Sequence, residues 1–219
     1  MTNEAGETPG LVFHWPRAYD LLLRLVWGSR EQRYRDRVLQ LVGLADGQAV
    51  LDVGCGTGTL AISARRIAGF SGCVAAIDAS PEMIARAKTK AMNAGAAIDF
   101  RQGTAQELPF ADASFDVVLS TTVIHCLPET LRAASFEEMA RVLKPGGRLL
   151  LIDFGGSAES KHSLFGHLHA HRQFDLLSEI SRVEGAGFIE IASGPTGFSD
   201  LHYILATKSI AHKSMRSAA

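Results

Sequence analysis

From residue 49 onward the chain alternates short, apolar, β-branched runs with longer stretches of helical periodicity. That alternation restricts the fold more than any other feature. Ala49–Val53 (AVLDV) ends in a glycine cluster, Thr59–Ala68 has helical spacing, and Cys73–Asp78 (CVAAID) is the next strand candidate. Ser80 reads as an N-cap with Pro81 in the first helical turn, where its missing N–H costs nothing. Met83, Ile84, Ala87 and Ala91 repeat on one helical face, and Gly95 suits the stop. Ile98–Arg101, Asp116–Ser120 and Arg148–Asp153 supply three further strands, with a helix over Ala133–Leu143 ended by Pro145-Gly146-Gly147. Strands and helices in this order join by right-handed crossovers, which predicts a parallel sheet covered on both faces.

The pattern changes near the other end. Gln173–Ala186 is helical, whereas Phe188–Ala192 and Leu201–Thr207 are strands with no helix between them, so an antiparallel pair closing one sheet edge is expected. Gly155–Arg172 has no clear periodicity. The first forty residues are helical in pattern, with Leu21, Leu22, Leu25 and Val26 on one side. No internal repeat or low-complexity linker appears, and 219 residues suit one domain.

Lys and Arg number 22 against 23 Asp and Glu, so the basic surplus of a dedicated nucleic-acid binder is missing. No apolar run approaches the ~20 residues of a bilayer-spanning helix. Met1–Gly10 holds no basic or apolar block of the kind a secretory signal needs. Three cysteines without CxxC spacing argue against a disulfide framework and a structural zinc site, and a cytoplasmic location is expected.

Val50–Gly58 reads VLDVGCGTG. A buried strand running into Gly54, Gly56 and Gly58 brings bare backbone to the start of a helix, where free N–H groups meet a ligand. The dinucleotide fingerprint is G-x-G-x-x-G, but Thr59 stands where its third glycine belongs, which counts against a pyrophosphate ligand and a nicotinamide-dependent oxidoreductase. Asp78 closes the second strand twenty residues beyond Gly58, where a carboxylate accepts two hydrogen bonds from a ribose diol. A helix cap shared with Ser80 is the plainer reading of Asp78. Asp52 either fixes the glycine loop or faces a cationic ligand.

Taken together, VLDVGCGTG, the 76–88 segment AIDASPEMIARAK, the 103–121 segment GTAQELPFADASFDVVLST and the 137–154 segment EEMARVLKPGGRLLLIDF resemble the class I S-adenosylmethionine-dependent methyltransferases. The small-molecule enzymes typified by the ubiquinone/menaquinone C-methyltransferases are the most similar group, and the resemblance covers about Tyr19 to Lys208. It implies a Rossmann-like α/β fold: a seven-stranded, mostly parallel sheet with an antiparallel last strand, helices on both faces and an N-terminal helical lid. The corresponding division is a lid over 1–44, a cofactor-binding half over 45–154, an acceptor-pocket segment with the closing strands over 155–208, and a tail over 209–219. It also implies S-adenosylmethionine as cofactor, S-adenosylhomocysteine as product, and a small-molecule acceptor. By position, Asp52, Gly54, Gly56 and Gly58 line the amino-acid and ribose part of the cofactor and Asp78 holds the ribose, with Ala79 and Met83 beside the adenine. Thr104, Ala105 and Gln106 stand at the adenine edge, where many relatives carry Asp in place of Thr104. Tyr19 closes over the methionine moiety or packs on the sheet. Ser120, on the cofactor side, borders an acceptor pocket of Thr121, His125, Asp153 and Phe154.

A sulfonium donor is already activated, so orientation supplies much of the acceleration, with ~7–11 kcal/mol available from positioning. His125 is the candidate base for an acceptor that must lose a proton, because imidazole titrates near neutrality; a capping or packing histidine is the alternative. His162, His167, His169 and His171 crowd one stretch without the cysteine or carboxylate partners and spacing of a zinc site, so no metal is assigned. Cys55 fits the loop as a small residue, and Cys126 beside His125 is either reactive or structural. Residues 17–37 carry six arginines and three acids among leucines, the make-up of a lid helix or of a peripheral membrane contact that would suit a phospholipid or quinone acceptor. A non-catalytic, cofactor-binding partner protein is the alternative from a different class.

Overall fold

A computed structural model describes Gly28, residues 30–155 and residues 174–210. Tyr19, most of the 1–44 lid, the His162–His171 cluster and the tail beyond 210 lie outside the described residues. Within them, α1 (Arg30–Leu41) leads into β1 (Ala49–Val53), α2 (Thr59–Ala68), β2 (Cys73–Asp78), α3 (Pro81–Asn93) and β3 (Asp99–Gln102). Then follow β4 (Phe115–Thr121), a 3-10 turn (Ile124–Cys126), α4 (Glu129–Val142) and β5 (Leu143–Phe154). A second 3-10 turn (Leu176–Glu179), α5 (Ile180–Gly185), β6 (Phe188–Pro195) and β7 (Leu201–Lys208) complete the order.

The seven strands form one sheet in the order β3-β2-β1-β4-β5-β7-β6. β1 pairs in parallel with both β2 and β4, so the winding runs outward to β3 and then restarts on the other side of β1. Ligands of doubly wound sheets bind beyond the strand ends at such a reversal. β7 runs antiparallel to β5 and to β6 and lies between them. The closing pair is therefore antiparallel as expected, with the earlier strand, β6, at the edge.

Alternation along the strands builds a core on each face. Val50, Ala76, Leu119, Leu150 and Ile152 pack with Val38 and Leu39 of α1, Leu60 and Ala64 of α2, and Ile84 and Ala87 of α3. Leu51, Ile77, Val118, Leu149 and Leu151 face the other way, onto Phe136 and Met139 of α4 and Val183 of α5. Each such aliphatic side chain contributes ~1.5–3 kcal/mol when fully buried, so the central strands hold the site rigidly. Ser80 caps α3 by accepting from the Met83 amide at 3.2 Å, with Pro81 at the first helical position.

Three stretches differ from expectation. α4 begins at Glu129 rather than near residue 133, with Pro128 as its N-cap. β5 takes in Pro145-Gly146-Gly147 instead of starting after them, because Leu143 pairs with Phe115 ahead of a register shift. The helix expected from residue 173 is a 3-10 turn followed by the short α5; the Asp175 side chain accepts from the Leu177 amide and tightens that turn. No helix among the described residues is long and apolar enough to cross a membrane. In the part of the basic stretch that is described, Arg30, Arg33 and Arg37 are exposed, and Arg35 pairs with Glu31 at 2.6 Å.

Candidate active site

The buried β1 delivers the chain into a loop tied to its neighbours by backbone. Gly54 N–H and Cys55 N–H both donate to the Ile77 carbonyl, at 2.9 and 2.8 Å, and Gly58 N–H donates to the Cys55 carbonyl at 2.9 Å. Gly54, Gly56 and Gly58 all have positive φ, at 75°, 53° and 75°, which other residues adopt only with strain. Space adds a second reason at two of them. A Cβ on Gly54 would stand 2.2 Å from Val123 Cγ2, and one on Gly58 would stand 2.9 Å from Ala87 and Phe100.

Asp78, half-buried at the end of β2, accepts from Gly56 N–H at 2.8 Å through one carboxylate oxygen and from Ser80 N–H at 2.9 Å through the other. It thus joins the glycine loop to the start of α3, and each oxygen keeps a further lone pair for a ligand. Burial raises its pKa, an effect the Ser80 and Gly56 amides partly offset. The end of β3 is drawn alongside: Gly103 N–H donates to the Asp78 carbonyl at 3.1 Å and Gln102 Nε2 to the Ala79 carbonyl at 3.2 Å. Thr104, Ala105 and Gln106 follow directly, and Met83 is buried below Ser80.

Asp52 differs from its neighbours. It is 1 % exposed, and neither carboxylate oxygen has a hydrogen-bond partner among the described residues. Burial pushes its pKa up to about 7, the charge of Asp78 adds to the rise, and the Ala61 backbone amide opposes it. An orphaned carboxylate in this place does not fasten the loop, and it fits a cationic group of a ligand. Burial, then the charges of Asp52 and Asp78, also push the Cys55 thiol up.

The second half of the site stands beyond β4 and β5. After Thr121 the backbone turns through Thr122 at φ 55°, and Val123 is thereby pressed onto Gly54. The 3-10 turn that follows aims His125 back at the sheet. Asp153, fully buried at the end of β5, accepts from His125 Nδ1 at 2.7 Å, from His125 N–H at 3.2 Å and from Phe154 N–H at 2.9 Å. His125 Nε2 lies 3.1 Å from Cys126 Sγ. Phe154 and Phe174 meet the imidazole edge-on at centroid distances of 5.0 and 6.2 Å, and Arg132 lies over the Phe174 ring at 4.8 Å. Burial alone would lower the His125 pKa, yet the hydrogen bonds to Asp153 and Cys126, with the charges of both, raise it to about 9. The imidazole is therefore protonated at neutral pH. Ser120 is fully buried, and its hydroxyl has no partner among the described residues.

The strand ends thus gather two groups. Asp52, Gly54, Gly56, Gly58, Asp78, Ala79, Met83 and Thr104–Gln106 cluster about β1, β2 and β3, whereas Ser120, Thr121, His125, Asp153 and Phe154 cluster about β4 and β5. Nothing in the residue spacing marks Val123 as site-shaping, whereas Cys126 beside His125 is visible in the sequence as a reactive or structural thiol. The tie between His125 and Asp153, 28 residues apart, had no local signal. Among the described residues no group of three or more His, Cys, Asp or Glu is arranged to hold a metal ion.

Residues 50–147 match the family model described as a methyltransferase domain. The ubiquinone/menaquinone biosynthesis C-methyltransferase UbiE of Pseudomonas putida is 36 % identical over 146 residues, which cover 65 % of this chain and 56 % of that protein. The demethylmenaquinone methyltransferase of Bacillus velezensis is 32 % identical over 154 residues, covering 70 % of this chain and 63 % of the relative. The chain therefore spans little more than half the length of the first of these relatives. Among solved structures, a SAM-dependent methyltransferase from Aquifex aeolicus superposes with a TM-score of 0.72 at 24 % identity, covering 88 % of this chain and 97 % of that one. The [4+2]-cyclase SpnF reaches the same TM-score at 20 % identity, covering 94 % of this chain and 100 % of its own, so the fold is common to both.

Proposed function

We propose that the chain is a class I S-adenosylmethionine-dependent methyltransferase, as its methyltransferase domain and its 32–36 % identical relatives support, and that it moves a methyl group from that cofactor to a small-molecule acceptor. The observation that carries this reading is the orphaned Asp52 carboxylate beside a loop of left-handed glycines, with Asp78 one strand away. Bound there, S-adenosylmethionine supplies a sulfonium-activated methyl group. The chain's own residues do the rest. Asp52 takes the cofactor's ammonium, Gly54, Gly56 and Gly58 admit its chain and ribose against bare backbone, and the free lone pairs of Asp78 hold the ribose hydroxyls. Ala79, Met83, Thr104, Ala105 and Gln106 border the adenine, and Tyr19 closes over the methionine end. Ser120 and Thr121 line the passage to the acceptor.

On the acceptor side His125 handles the proton. Asp153 receives Nδ1–H and fixes the ring, so proton exchange falls to Nε2, while Phe154 walls the pocket. Relatives named for ubiquinone, menaquinone and demethylmenaquinone support an aromatic, quinone-type acceptor, and the aromatic edges around His125 suit one. Residues 1–219 act as one domain, with 1–44 as the lid, and the exposed Arg30, Arg33 and Arg37 offer a basic surface for a membrane-borne acceptor. The product acceptor is released together with S-adenosylhomocysteine.

Calorimetry with S-adenosylhomocysteine, followed by methyl release onto a panel of reduced quinones, tests the proposal. Binding is expected, and Asp78→Ala should weaken it by ~1.5–3 kcal/mol, the range for losing a hydrogen bond to a charged group. No binding at millimolar ligand overturns the cofactor assignment. Binding without turnover on any acceptor favours the non-catalytic reading.

A further inference from the structure

His125 is held at both ring nitrogens, and the second contact is to a sulfur. Asp153 can only accept, so Nδ1 carries its proton toward the carboxylate at 2.7 Å. Nε2 then faces Cys126 Sγ at 3.1 Å, either receiving the thiol proton or donating to a thiolate. A nucleophile, a base in reach of it and a third group orienting the base make up the arrangement by which proteins activate thiols. Cys126 is half-buried just beyond the end of β4, beside the end of β5. A separate observation points to a ligand with an oxygen acceptor. Ser120, opposite Leu151 in the parallel register and so on the same face as Asp153, keeps a buried hydroxyl with no partner among the described residues.

We propose that Cys126 is a nucleophilic thiol, activated by His125 and Asp153, that adds covalently to α,β-unsaturated carbonyl compounds entering beyond the ends of β4 and β5. In the step, the proton of the thiol is the one held on Nε2 of the His125 imidazolium, and the sulfur lone pair forms a bond to the β-carbon of the alkene. The alkene π pair moves onto the α-carbon and carbonyl oxygen, where the Ser120 hydroxyl donates. The proton held on Nε2 then returns to that enolate, which leaves a thioether and a neutral imidazole. No outside oxidant or reductant enters. The soft sulfur of a thiolate suits a conjugated carbon electrophile, and an imidazolium neighbour raises the thiolate fraction. The step holds whether or not the chain transfers methyl groups, so its failure and the failure of the methyl-transfer reading are read separately.

The three cysteines provide an internal comparison. Cys55 is in the glycine loop among carboxylates, and Cys73 is exposed at the start of β2, at the opposite end of the sheet from His125. The whole protein is treated with limiting N-ethylmaleimide at pH 6.5 and each thiol is followed by peptide mass spectrometry. Cys126, with its sulfur 3.1 Å from His125 Nε2, should react about tenfold faster than the exposed Cys73, which has no such base beside it among the described residues. His125→Gln and Asp153→Asn should each bring Cys126 down to the Cys73 rate, and continued protection of Cys55 reports that the variant is folded. A Cys126 rate no higher than that of Cys73 overturns the proposal on the wild-type protein alone. So does an unchanged Cys126 rate in a folded His125→Gln variant.

Discussion

Two carboxylates of the site differ by what their oxygens touch. Asp78 spends one bond per oxygen on backbone amides, while Asp52 is buried with none, and its proton affinity rises until it is half-ionised at about pH 7. A cationic ligand favours the ionised form, so S-adenosylhomocysteine should bind roughly tenfold more tightly at pH 8 than at pH 6, with a proton released on binding. Asp52→Asn should bind more weakly and lose that pH dependence; calorimetry in buffers of different ionisation enthalpy measures both. His125 gives the complementary signature. A base works only after losing its proton, and this imidazole keeps its own to about pH 9, so turnover should rise with pH toward 9. In His125→Gln the rise should be absent while cofactor binding is unchanged, and a wild-type rate independent of pH between 6 and 9 would remove the histidine from proton transfer.

At the scale of elements, the glycine loop after β1 and the turn after β4 are one packed unit, because Val123 fills the space in which a Gly54 side chain would stand. Gly54→Ala should cost about 1–3 kcal/mol, combining left-handed strain with overpacking. Adding Val123→Ala should recover the packing part and not the backbone part, a non-additivity that thermal or urea unfolding of the two single variants and the double variant would expose. This unit also explains what was legible beforehand. Ser80, Pro81 and the glycines announce themselves because capping and positive φ are local requirements. Asp78 did so by its distance from the loop. The Asp153–His125 bond joins two strand ends, and the buried Glu179, paired with Arg132 at 2.8 Å and Arg182 at 3.0 Å, joins a 3-10 turn to two helices. Contacts of that kind exist only once the sheet is assembled, and no residue spacing encodes them. The same holds for β5, whose Pro-Gly-Gly start reads as a turn until Leu143 is seen pairing with Phe115.

For the whole molecule, Asp52 and His125 bias stability in one direction. Asp52 binds its proton more tightly folded than unfolded, so folding loses free energy as pH rises from 3.8 to about 7. His125, raised from 6.5 to about 9, contributes stability that is complete below pH 6.5 and lost by pH 9, a change of about 3 kcal/mol at most. The urea midpoint should therefore fall between pH 6.5 and 9, and fall much less in His125→Gln; a wild-type midpoint constant over that interval would contradict the imidazolium. A different consequence comes from β7, which lies between β5 and β6 although it is later in sequence than both. Lifting that one ribbon out of the sheet would strip β5 and β6 of a neighbour at the same time. The molecule would then carry two naked margins, each able to pair with a strand from another copy. Loosening of β7 is thus the opening most prone to make these molecules clump.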